Sequence, residues 1–552
     1  MKIKTVKKIL CSALVFCTLA FTACGGGSST SDSDSSLGET PAYEPITEED
    51  FLTANDNVLQ NESGETVQLR GTNFGGWLHL EGWMDGGGDN NNHRATITAL
   101  RERFTEQQTQ ELLEIYQKAF ITEVDVDNVY NLGLNMIRVP FFWTEILDEQ
   151  GQVLPHAFDQ LDWIIGECKQ RGMYVLLDLH GAPGGHSSGW LTGGHTGSNE
   201  LWTNTTYQAW AKTIWEELAT RYKDEPAVCG YGLLNEPVPP ENSPITTAEM
   251  YDMLYRAVRA IDDKHAIFMG AFFNFDALGS PASNGWTNVV YETHHYDDGN
   301  KSAENQQNFV SGTLSYLRQY QTQWDVPILA GEFNFWGAKN AWDAWLYVLN
   351  QTDISWSNWS YKHTDTVTDN TWGLYYKPTV EKVNYQTDSY EEIARKWRGY
   401  TTEKYTKNPF LTEVFTNATR KAGQRLDDTA FTATGHWTDG DNLAENVFDG
   451  DLFTRWANGQ VQGSSSQWLE VDFGGEITFS KMYVFTATAD YTRAYKLYAY
   501  LDGEWRIIER GDGRFGVTEI DVGTLTTTKI RLEQTGNADW NHWSIYDLAF
   551  FG

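Results

Sequence analysis

The chain has 552 residues, 40% of them hydrophobic and 14% aromatic, which is enough apolar mass to exclude a disordered or fibrous protein. Its 41 basic and 75 acidic side chains give a formal net charge of −34, which would repel a phosphate backbone and argues against nucleic-acid partners. Neutral polymers remain, and the 23 tryptophans favour them because an indole face attracts the C–H groups of a sugar ring.

The N-terminus has the pattern of an export signal. Residues 1–23 carry four lysines and then an apolar stretch too short to span a bilayer comfortably. Thr22-Ala23-Cys24 followed by glycines resembles a bacterial lipobox, in which Cys24 would be lipidated. The alternative is an ordinary secretory signal with an incidental Cys24. We therefore expect a lipid-anchored protein of the bacterial cell envelope, on the outer membrane or cell surface, or a secreted one.

The next segment, residues 24–48, is rich in Gly, Ser and Asp, and we interpret it as a flexible linker. Beyond it only Cys168 and Cys229 remain of the five cysteines. Two cysteines in a chain of this length do not make a disulfide scaffold, and no metal-ligand spacing is present. We expect two buried thiols.

From residue 67 onward, short β-rich runs alternate with longer segments of helical period, which is the pattern of βα units. Eight parallel strands, each followed by a helix, predict a (β/α)₈ barrel within residues 49–410. The predicted strands are 67–74, 134–140, 173–180, 230–236, 266–270, 289–294, 327–332 and 355–359, and the predicted helices are 105–120, 158–171, 207–222, 246–262, 303–324, 341–350 and 391–398.

Polar residues fall where these apolar strands end. Strands two, three and four end in Arg138, in Asp178-Leu179-His180 and in Asn235-Glu236-Pro237. Strands six, seven and eight end in His294-His295-Tyr296, Gly331-Glu332-Phe333 and Trp359. The C-terminal ends of barrel strands form one rim, where active sites of this fold lie.

Two carboxylates, Glu236 and Glu332, are expected to face one another across the barrel mouth. Hydrolysis of a glycosidic bond needs a protonated acid at the leaving oxygen and a second carboxylate at the anomeric carbon. The alternative is that either glutamate pairs structurally with Arg138. For Glu332 that pairing would also suit a nucleophile, because a nearby positive charge favours the ionised form. Glu236 would have to stay protonated near neutrality.

Leu233-Leu234-Asn235-Glu236-Pro237 resembles the acid/base signature of glycoside hydrolase family 5, a family of retaining (β/α)₈ glycosidases. The resemblance covers about residues 51–408 and is most similar to the exo-β-1,3-glucanase branch. Four further stretches carry it: 70–77 with Leu80-Glu81, 137–140, 178–184 and 292–296.

The resemblance implies a role for each matching position. Glu236 would be the acid/base and Glu332 the nucleophile, with Arg138 orienting and ionising Glu332. The other positions would form the −1 sugar subsite: Asn235 at the 2-hydroxyl, Glu81 at the outer hydroxyls, Trp359 as stacking floor, Tyr296 as a hydrogen-bond donor to the nucleophile, and His180 and His294 along the walls. Core packing for Trp359 and satisfied structural histidines remain alternatives. Family members of this kind need no cofactor for catalysis.

The chain departs from this branch in two rim loops. Residues 85–92 are rich in Gly and Asn, and residues 184–199 are rich in Gly and His. Such loops decide whether a cleft is closed or open, so exo or endo action stays undecided. His186 and His195 alone do not predict a metal site, because no carboxylate or cysteine lies at ligand spacing.

After a predicted linker at residues 411–427, short alternating strands with Gly/Asp turns predict a β-sandwich at residues 428–552. Asn446-Val447-Phe448-Asp449-Gly450-Asp451, Thr454-Arg455-Trp456 and Ser544-Ile545-Tyr546-Asp547-Leu548 resemble a discoidin, or coagulation-factor 5/8 C-type, domain. In bacterial enzymes this is the family 32 carbohydrate-binding module. The strands expected are 467–473, 481–486, 494–500, 506–510, 517–522 and 529–534.

Such modules often hold one structural Ca²⁺, and the resemblance places Asp449, Thr454 and Asp547 at its ligand positions. The alternative is a turn aspartate at 449 and a surface aspartate at 547. The candidates for sugar contact on exposed loops are Trp437, Arg493, Trp540 and Trp543, and any of them would otherwise be core.

These observations predict a monomeric retaining β-glucanase with a β-1,3-glucan such as laminarin as substrate. A β-1,4 or mixed-linkage glucanase of the same family is the nearest alternative. A non-catalytic glycan-capturing lipoprotein is the third, and the presence of Glu236, Glu332, Asn235 and Arg138 argues against it.

Overall fold

A computed structural model of the chain describes residues 43–87, 92–187, 192, 199–272, 274–364, 371–376, 378–420 and 424–552. The expected signal, the lipidated Cys24 and His195 lie outside these residues. Within them, no helix combines the length and the apolar character needed to cross a bilayer.

Eight parallel strands close into a barrel in chain order, with the last strand pairing with the first. Each of the seven connections between consecutive barrel strands contains a helix, as is usual for a parallel sheet. The strands are nearly all buried, which explains their continuous apolar pattern. The predicted (β/α)₈ barrel is confirmed, and its strands are β3 (Arg70–Asn73), β4 (Met136–Phe142), β5 (Tyr174–Gly181), β6 (Val228–Gly232), β7 (Ala266–Gly270), β8 (Val289–Tyr296), β9 (Ile328–Asn334) and β10 (Ser355–Asn358).

The helices of this region begin at side-chain caps that the sequence carries. Thr105, Thr246 and Ser389 each form a capping box with the residue three positions later, which satisfies otherwise free backbone N–H groups. The helices are α1 (Gly82–Asp85), α2 (His93–Arg101), α3 (Glu106–Phe120), α4 (Glu123–Asn131), α5 (Asp159–Gln170), α6 (Thr205–Tyr222), α7 (Thr247–Arg259), α8 (Pro281–Asn284), α9 (Ala303–Trp324), α10 (Lys339–Gln351), α11 (Tyr390–Trp397) and α12 (Pro409–Thr419).

The segment expected to be a linker, residues 411–427, is largely helical. It contains most of α12, whose Leu411, Val414 and Phe415 are buried, and Phe415 stacks on Trp356 of β10 at 5.8 Å. Asn408 caps this helix and Pro409 occupies its first position, a combination typical of helix N-termini. The linker prediction was therefore wrong for residues 411–419.

The C-terminal region is built of antiparallel strands, as expected for a sandwich. The predicted strand pairs 467–473/481–486 and 517–522/529–534 are each one long strand, because the Gly/Asp positions between them form register shifts rather than reversals. The short strands outside the barrel and those of this region are β1 (Thr53–Asn55), β2 (Val58–Gln60), β11 (Tyr375–Tyr376), β12 (Thr406–Lys407), β13 (Thr432–Gly435), β14 (Trp456–Val461), β15 (Gln467–Thr486), β16 (Ala494–Leu501), β17 (Glu504–Asp512), β18 (Gly516–Gln534), β19 (His542–Ile545) and β20 (Asp547–Phe551).

The sandwich packs directly on α10 of the barrel. Tyr347 lies 4.8 Å from Phe485 of β15, and its hydroxyl donates a 2.8 Å hydrogen bond to Asp547 of β20. Residues 43–552 form one compact unit. The two domains therefore share an apolar interface rather than being joined by a free tether.

Candidate active site

The two predicted catalytic glutamates meet at the C-terminal rim of the barrel. Glu332 lies in β9, and Glu236 lies four residues after the end of β6, across the barrel. Both are almost fully buried. One carboxylate oxygen of each, together with a ring nitrogen of His294, lie within 4.8 Å of one another. This arrangement brings two acidic groups into reach of a single small ligand atom.

The backbone at Glu236 adopts a left-handed conformation, with φ of 44°. Such a conformation is unfavourable for a residue with a side chain and persists only where the surroundings enforce it. The neighbouring Asn235 supplies part of that restraint, because its N–H donates to the carbonyl of Leu179 at 3.1 Å and its own carbonyl contacts the ring of His186. The flanking hydrogen bonds thus aim the Glu236 carboxyl into the rim.

Arg138 is the centre of the buried charge network. Its side chain has no exposed surface and ion-pairs with Asp178 at 3.0 Å, Glu292 at 2.8 Å and Glu332 at 3.2 Å. It also donates to the side-chain oxygens of Asn73 and Asn235, both at 2.9 Å. Three carboxylates therefore share one guanidinium, so its charge is not devoted to Glu332 alone.

Glu292 reaches Arg138 because Gly331 leaves room for it. A Cβ on Gly331 would overlap the Glu292 carboxyl. Burial alone would raise the pKa of Glu292, but the charges of Arg138 and His294 hold it below its usual value. Burial instead raises the pKa of Asp178 well above its usual value, despite Arg138. Glu292 is consequently the more firmly ionised of these two carboxyls.

Glu332 accepts hydrogen bonds on both oxygens. Arg138 donates to Oε1 at 3.2 Å, and the Tyr296 hydroxyl donates to Oε2 at 2.9 Å. Burial and the nearby charge of Glu236 nevertheless raise the pKa of Glu332 to about 7, while His294, Arg138 and Tyr296 oppose the rise. The expectation that Arg138 keeps this carboxylate ionised is therefore met only in part, because complete burial outweighs a shared positive charge.

His294 lies between the acids. Its Nδ1 is 2.7 Å from Glu236 Oε1 and 3.5 Å from Glu332 Oε2, and its Nε2 is 3.4 Å from Glu292 Oε1. Burial lowers the pKa of His294, but the surrounding carboxylates outweigh burial and raise it to about 10. His294 is thus an imidazolium at neutral pH, and its Nδ1 proton points to Glu236.

His180 is held in a neutral form. Its Nδ1 contacts Asp178 at 2.8 Å, and Asn235 donates to its Nε2 at 3.3 Å. Burial and the positive charges around it keep the pKa of His180 well below its usual value. Trp359 stacks on this ring at 5.1 Å with an interplanar angle of 15°. Trp359 is almost fully buried and packs against Gly75, so it lies at the base of the site.

Glu81 lies at the start of α1, where Trp83 donates to its Oε2 at 2.8 Å. Burial and the nearby glutamates raise the pKa of Glu81 to about 8. Trp83 in turn contacts Trp372 at 5.8 Å, and Trp372 contacts Tyr296 at 5.6 Å. These rings line the mouth of the barrel beside the carboxylate pair.

All nine predicted residues of the catalytic and −1 sites lie at this rim, and the structure adds Asn73, His79, Asp178 and Glu292 to them. Asp178 and His180 stand two positions apart on β5, and Glu292 and His294 stand two apart on β8. Residues two apart on a strand face the same side. This spacing was the available signal for the two additional carboxylates.

Two groups of metal-ligating side chains come within 4.8 Å of one another in the described part of the chain: His79 with Glu81 and His180, and His294 with Glu236 and Glu332. In the second group, His294 would have to lose a proton before it could ligate a metal, so metal binding would compete with its protonation. Both groups belong to the site already described.

The four predicted sugar-contact residues of the sandwich differ in their exposure to solvent. Trp437 and Trp540 are 45% and 77% exposed. Arg493 lies over the ring of Tyr491 at 3.7 Å and remains partly exposed. Trp543 is completely buried, and its Nε1 donates to Thr492 at 2.9 Å. The prediction for Trp543 was wrong, because this indole packs on Trp456 in the sandwich core.

Asp547 is engaged by protein donors. It is buried, Arg425 donates to both of its oxygens, and Tyr347 donates to Oδ2. These contacts disfavour Asp547 as a Ca²⁺ ligand, and its assignment stays a prediction. Asp449 and Thr454 are joined by a 2.5 Å hydrogen bond and remain a predicted pair.

Comparison with known proteins agrees with this geometry. The family model for Cellulase (glycosyl hydrolase family 5) matches residues 95–365, and the F5/8 type C domain matches residues 429–548. The chain is similar to a β-xylosidase of Phanerodontia chrysosporium, with 29% identity over 56% of this chain and 71% of that protein. It is also similar to a probable glucan 1,3-β-glucosidase A of Aspergillus niger, with 28% identity over 48% of this chain and 64%, less than two thirds, of that protein.

Among solved structures, a rutinosidase from Aspergillus niger aligns with 17% identity and a TM-score of 0.46, covering 55% of this chain and 92% of that one. A family 32 carbohydrate-binding module from C. perfringens, solved with galactose, aligns with 17% identity and a TM-score of 0.21, covering 23% of this chain and 96% of that one. On the two domain matches, residues 95–365 are similar to glycosyl hydrolase family 5 and residues 429–548 are similar to F5/8 type C domains.

Proposed function

We propose that this chain is a retaining glycoside hydrolase that cleaves β-glucan, with β-1,3-linked glucan as the preferred substrate. The observation that carries the mechanism is the approach of Glu236 and Glu332 to within 4.8 Å, oxygen to oxygen. Retaining enzymes hold their carboxyl groups about 5–5.5 Å apart, whereas inverting enzymes need about 6.5–9.5 Å to admit a water molecule between carboxylate and sugar.

In the first step, ionised Glu332 attacks the anomeric carbon and forms a covalent glycosyl ester. The bond from that carbon to the leaving oxygen breaks, and its electron pair stays on the oxygen, which takes a proton from Glu236. Tyr296 and Arg138 hold the attacking carboxylate from its two sides. Their hydrogen bonds orient the nucleophile towards the sugar.

In the second step, Glu236 acts as a base. It removes a proton from water, whose oxygen attacks the same carbon and releases Glu332 as a carboxylate. Two inversions at one carbon restore the original β configuration. Glu236 is again protonated and ready for the next substrate.

His294 orients the acid/base of this cycle. Its Nδ1 lies 2.7 Å from Glu236 Oε1, and at neutral pH the imidazole carries both ring protons. This hydrogen bond holds the Glu236 carboxyl in place while its proton is given to the leaving oxygen and regained from water.

The remaining rim residues hold the sugar. Asn235, fixed by Arg138 and His180, binds the 2-hydroxyl, and Glu81 binds the outer hydroxyls. Trp359 forms the stacking floor. The names of the Aspergillus glucosidases among the relatives support a β-1,3-glucan. The β-xylosidase relative, which matches more of the chain, favours a β-xyloside as the second candidate. β-1,4 and mixed-linkage glucans are further alternatives.

The F5/8 type C domain serves as a glycan-binding module of the family 32 type. Trp540 and Trp437, the two exposed tryptophans named above, and Arg493 are its candidate sugar contacts. Asp449 and Thr454 are its candidate ligands for a structural calcium ion. Cys24 is proposed as a lipid anchor that holds the monomeric enzyme at the cell envelope.

The retaining mechanism is tested by the anomeric configuration of the first product and by the activity of a Glu332 variant. Proton NMR of laminarin digestion should show the β-anomer first, and an initial α-anomer would overturn the retaining mechanism. Glu332→Gln should abolish turnover. Glu145→Gln is the matched control, because Glu145 also has a pKa raised to about 7 by burial but lies outside the site, bonded to Gln117.

Substrate preference is tested with the same preparation. Rates on laminarin, lichenan, carboxymethyl cellulose and an aryl β-xyloside separate the candidates. A kcat/KM on laminarin below that on the xyloside or on carboxymethyl cellulose would contradict the β-1,3-glucan assignment. Turnover that survives Glu332→Gln would reject the catalytic assignment itself.

A further inference from the structure

A cavity opens at the C-terminal end of the barrel, beyond strands β4 and β5. Its volume is about 260 Å³, and the residues that line it come from α2, from β4 and the segment after it, from the segment after β5 and from α6. None of them was assigned to the catalytic or −1 site above. The cavity is therefore a separate feature of the same rim.

Aromatic side chains form its walls. Trp143 and Trp210 lie 5.6 Å apart with an interplanar angle of 34°, and Tyr207 meets Trp210 edge-on at 5.5 Å. Trp143 is almost fully buried, whereas Tyr207 and Trp210 are partly exposed. A buried indole with two partly exposed rings beside it makes a concave surface that water and a ligand can enter.

Glycines fix these rings in place. A Cβ on Gly184 would overlap the ring of Tyr207, and one on Gly151 would overlap the indole of Trp210. The segment after β5 is also tied down, because the N–H of Glu200 donates to the carbonyl of Gly184 at 2.9 Å. The rings of Tyr207 and Trp210 are thus packed against the backbone of glycines rather than against movable side chains.

Charged groups complete the lining. Arg94 ion-pairs with Glu149 at 3.1 Å and lies over the ring of Trp143 at 5.9 Å. Glu200 is exposed at the edge of the cavity. One guanidinium and two carboxylates give the lining a net charge of −1, which disfavours anionic ligands. Hydrogen-bonding groups beside aromatic rings suit a neutral molecule with both hydroxyls and C–H faces, such as a sugar.

The cavity adjoins the catalytic site through a short series of rings. Phe142 lines the cavity and lies 5.8 Å from His79, which lies 4.5 Å from His180 of the −1 site. A polymer bound at the carboxylate pair thus has this cavity close beside it on the same rim.

We propose that the cavity is a second glycan-binding site on the catalytic barrel, which holds a sugar unit of the polymeric substrate. The class of ligand rests on the proposed function, since the site would take the glucan that the barrel cleaves. The consequence is a gain on long substrates that short ones do not share, because only a chain that reaches both points benefits from both.

The test measures kcat/KM on laminarin and on 4-nitrophenyl β-glucoside in the full chain. Trp210→Ala should lower the ratio of the two values by about threefold to tenfold, as expected for the loss of one aromatic contact. Tyr390→Ala, which removes a partly exposed tyrosine on α11, is the matched control and should keep the ratio of the parent chain. An unchanged ratio in Trp210→Ala, or equal losses on both substrates, would overturn the proposal.

Glu200→Ala provides a second variant, because this exposed side chain is not needed for packing. It should lower the same ratio, and it therefore tests the proposal even if Trp210→Ala fails to fold. Electrophoresis in a gel containing laminarin tests binding without turnover, with Trp540→Ala separating the contribution of the sandwich. Retardation that is reduced by Trp210→Ala supports the second site even if the chain hydrolyses no β-glucoside, in which case only the proposed function fails. Retardation unaffected by both cavity variants overturns the second site.

Discussion

The hydroxyl of Tyr296 donates a 2.9 Å hydrogen bond to Oε2 of Glu332. This bond favours the ionised form of the carboxyl, while burial and the charge of Glu236 favour the protonated form and raise the pKa of Glu332 to about 7. The nucleophile therefore titrates near neutrality, and a single donor has a measurable influence on its ionisation.

Tyr296→Phe should move the acidic limb of the kcat/KM profile to higher pH. The variant removes a donor that stabilises the carboxylate, so the pKa of Glu332 should rise above about 7 and more acid-side activity should be lost. The measurement is kcat/KM on an aryl β-glucoside from pH 4 to pH 9, a range chosen to bracket about 7. Tyr255→Phe, whose hydroxyl bonds Thr287 away from the rim, is the control. A limb that stays in place or moves to lower pH would contradict this role of Tyr296.

Arg138→Lys should destabilise the fold as well as impair catalysis. A lysine keeps the charge but cannot reproduce contacts to Asp178, Glu292 and Glu332 at once, so buried carboxylates lose their partner. Breaking a buried ion pair costs about 3–5 kcal/mol of unfolding free energy. Urea unfolding measures this loss.

Arg221→Lys is the matched control for Arg138→Lys. Arg221 forms a surface ion pair with Asp162, and both side chains are well exposed. Surface pairs contribute about 0–1 kcal/mol, so the control should unfold close to the parent chain. Equal losses in the two variants would show that Arg138 is no more than an ordinary salt-bridge partner.

The barrel could be predicted because its strands are continuous apolar runs that end in polar residues. All eight predicted strands overlap the observed ones, and His180 and Glu332 lie near the C-terminal ends of β5 and β9, whereas Arg138 lies inside β4. Such a pattern follows from burial on both faces of a parallel sheet. Helix α12 was missed because its three buried side chains pack on the barrel, a tertiary contact without a long periodic pattern in the sequence.

The pKa values of the site residues could not be predicted from the sequence in the same way. The sequence places Arg138 near Glu332, but it does not show that Asp178 and Glu292 also draw on the same guanidinium. The pKa of Glu332 is decided by the balance between burial, the charges of His294, Glu236 and Arg138 and the hydrogen bond from Tyr296, and the sequence does not give the distances that set this balance. Trp543 illustrates a similar limit, because in a turn-rich sequence a tryptophan on a core strand cannot be distinguished from one on an exposed loop.

Asp547→Asn should loosen the contact between sandwich and barrel. The change removes the charge that pairs with Arg425 and weakens the acceptor for Tyr347. Loss of a hydrogen bond to a charged group costs about 1.5–3 kcal/mol. Thermal unfolding should show the same decrease with calcium or with a chelator, since Arg425 and Tyr347 already occupy the oxygens of Asp547.

Asp472→Asn is the control for Asp547→Asn, because Asp472 pairs with Lys529 on an exposed face of the same sheet. Its effect should be within about 0.5 kcal/mol, as for most surface substitutions. A calcium-dependent loss in Asp547→Asn that the control does not share would restore the carboxylate to a metal site.

Stability should fall as pH rises from about 6.5 to about 8. Burial raises the pKa of Glu81 to about 8 and of Asp85 to about 7, and the carboxylates around His294 raise its pKa to about 10 against the opposing effect of burial. In this range the folded chain holds more protons than the unfolded one. The stability that these groups contribute is fully present below their pKa values in the unfolded chain, and it is lost as pH rises towards their pKa values in the folded chain. Burial lowers the pKa of His186 to about 4, which adds stability with rising pH only up to about 6.5.

Glu81→Gln isolates one part of this slope. Removing the titrating group should flatten the decline between pH 6.5 and pH 8 by on the order of 1 kcal/mol per pH unit at most, because the window of Glu81 ends near 8. Urea unfolding at three pH values measures the slope, and Glu111→Gln, at an exposed position on α3, serves as the control. A decline in stability that is equally steep in Glu81→Gln and in the parent chain would mean that the Glu81 carboxyl is already ionised at pH 6.5. The −1 sugar would then face a charged carboxylate at Glu81 rather than a neutral carboxyl.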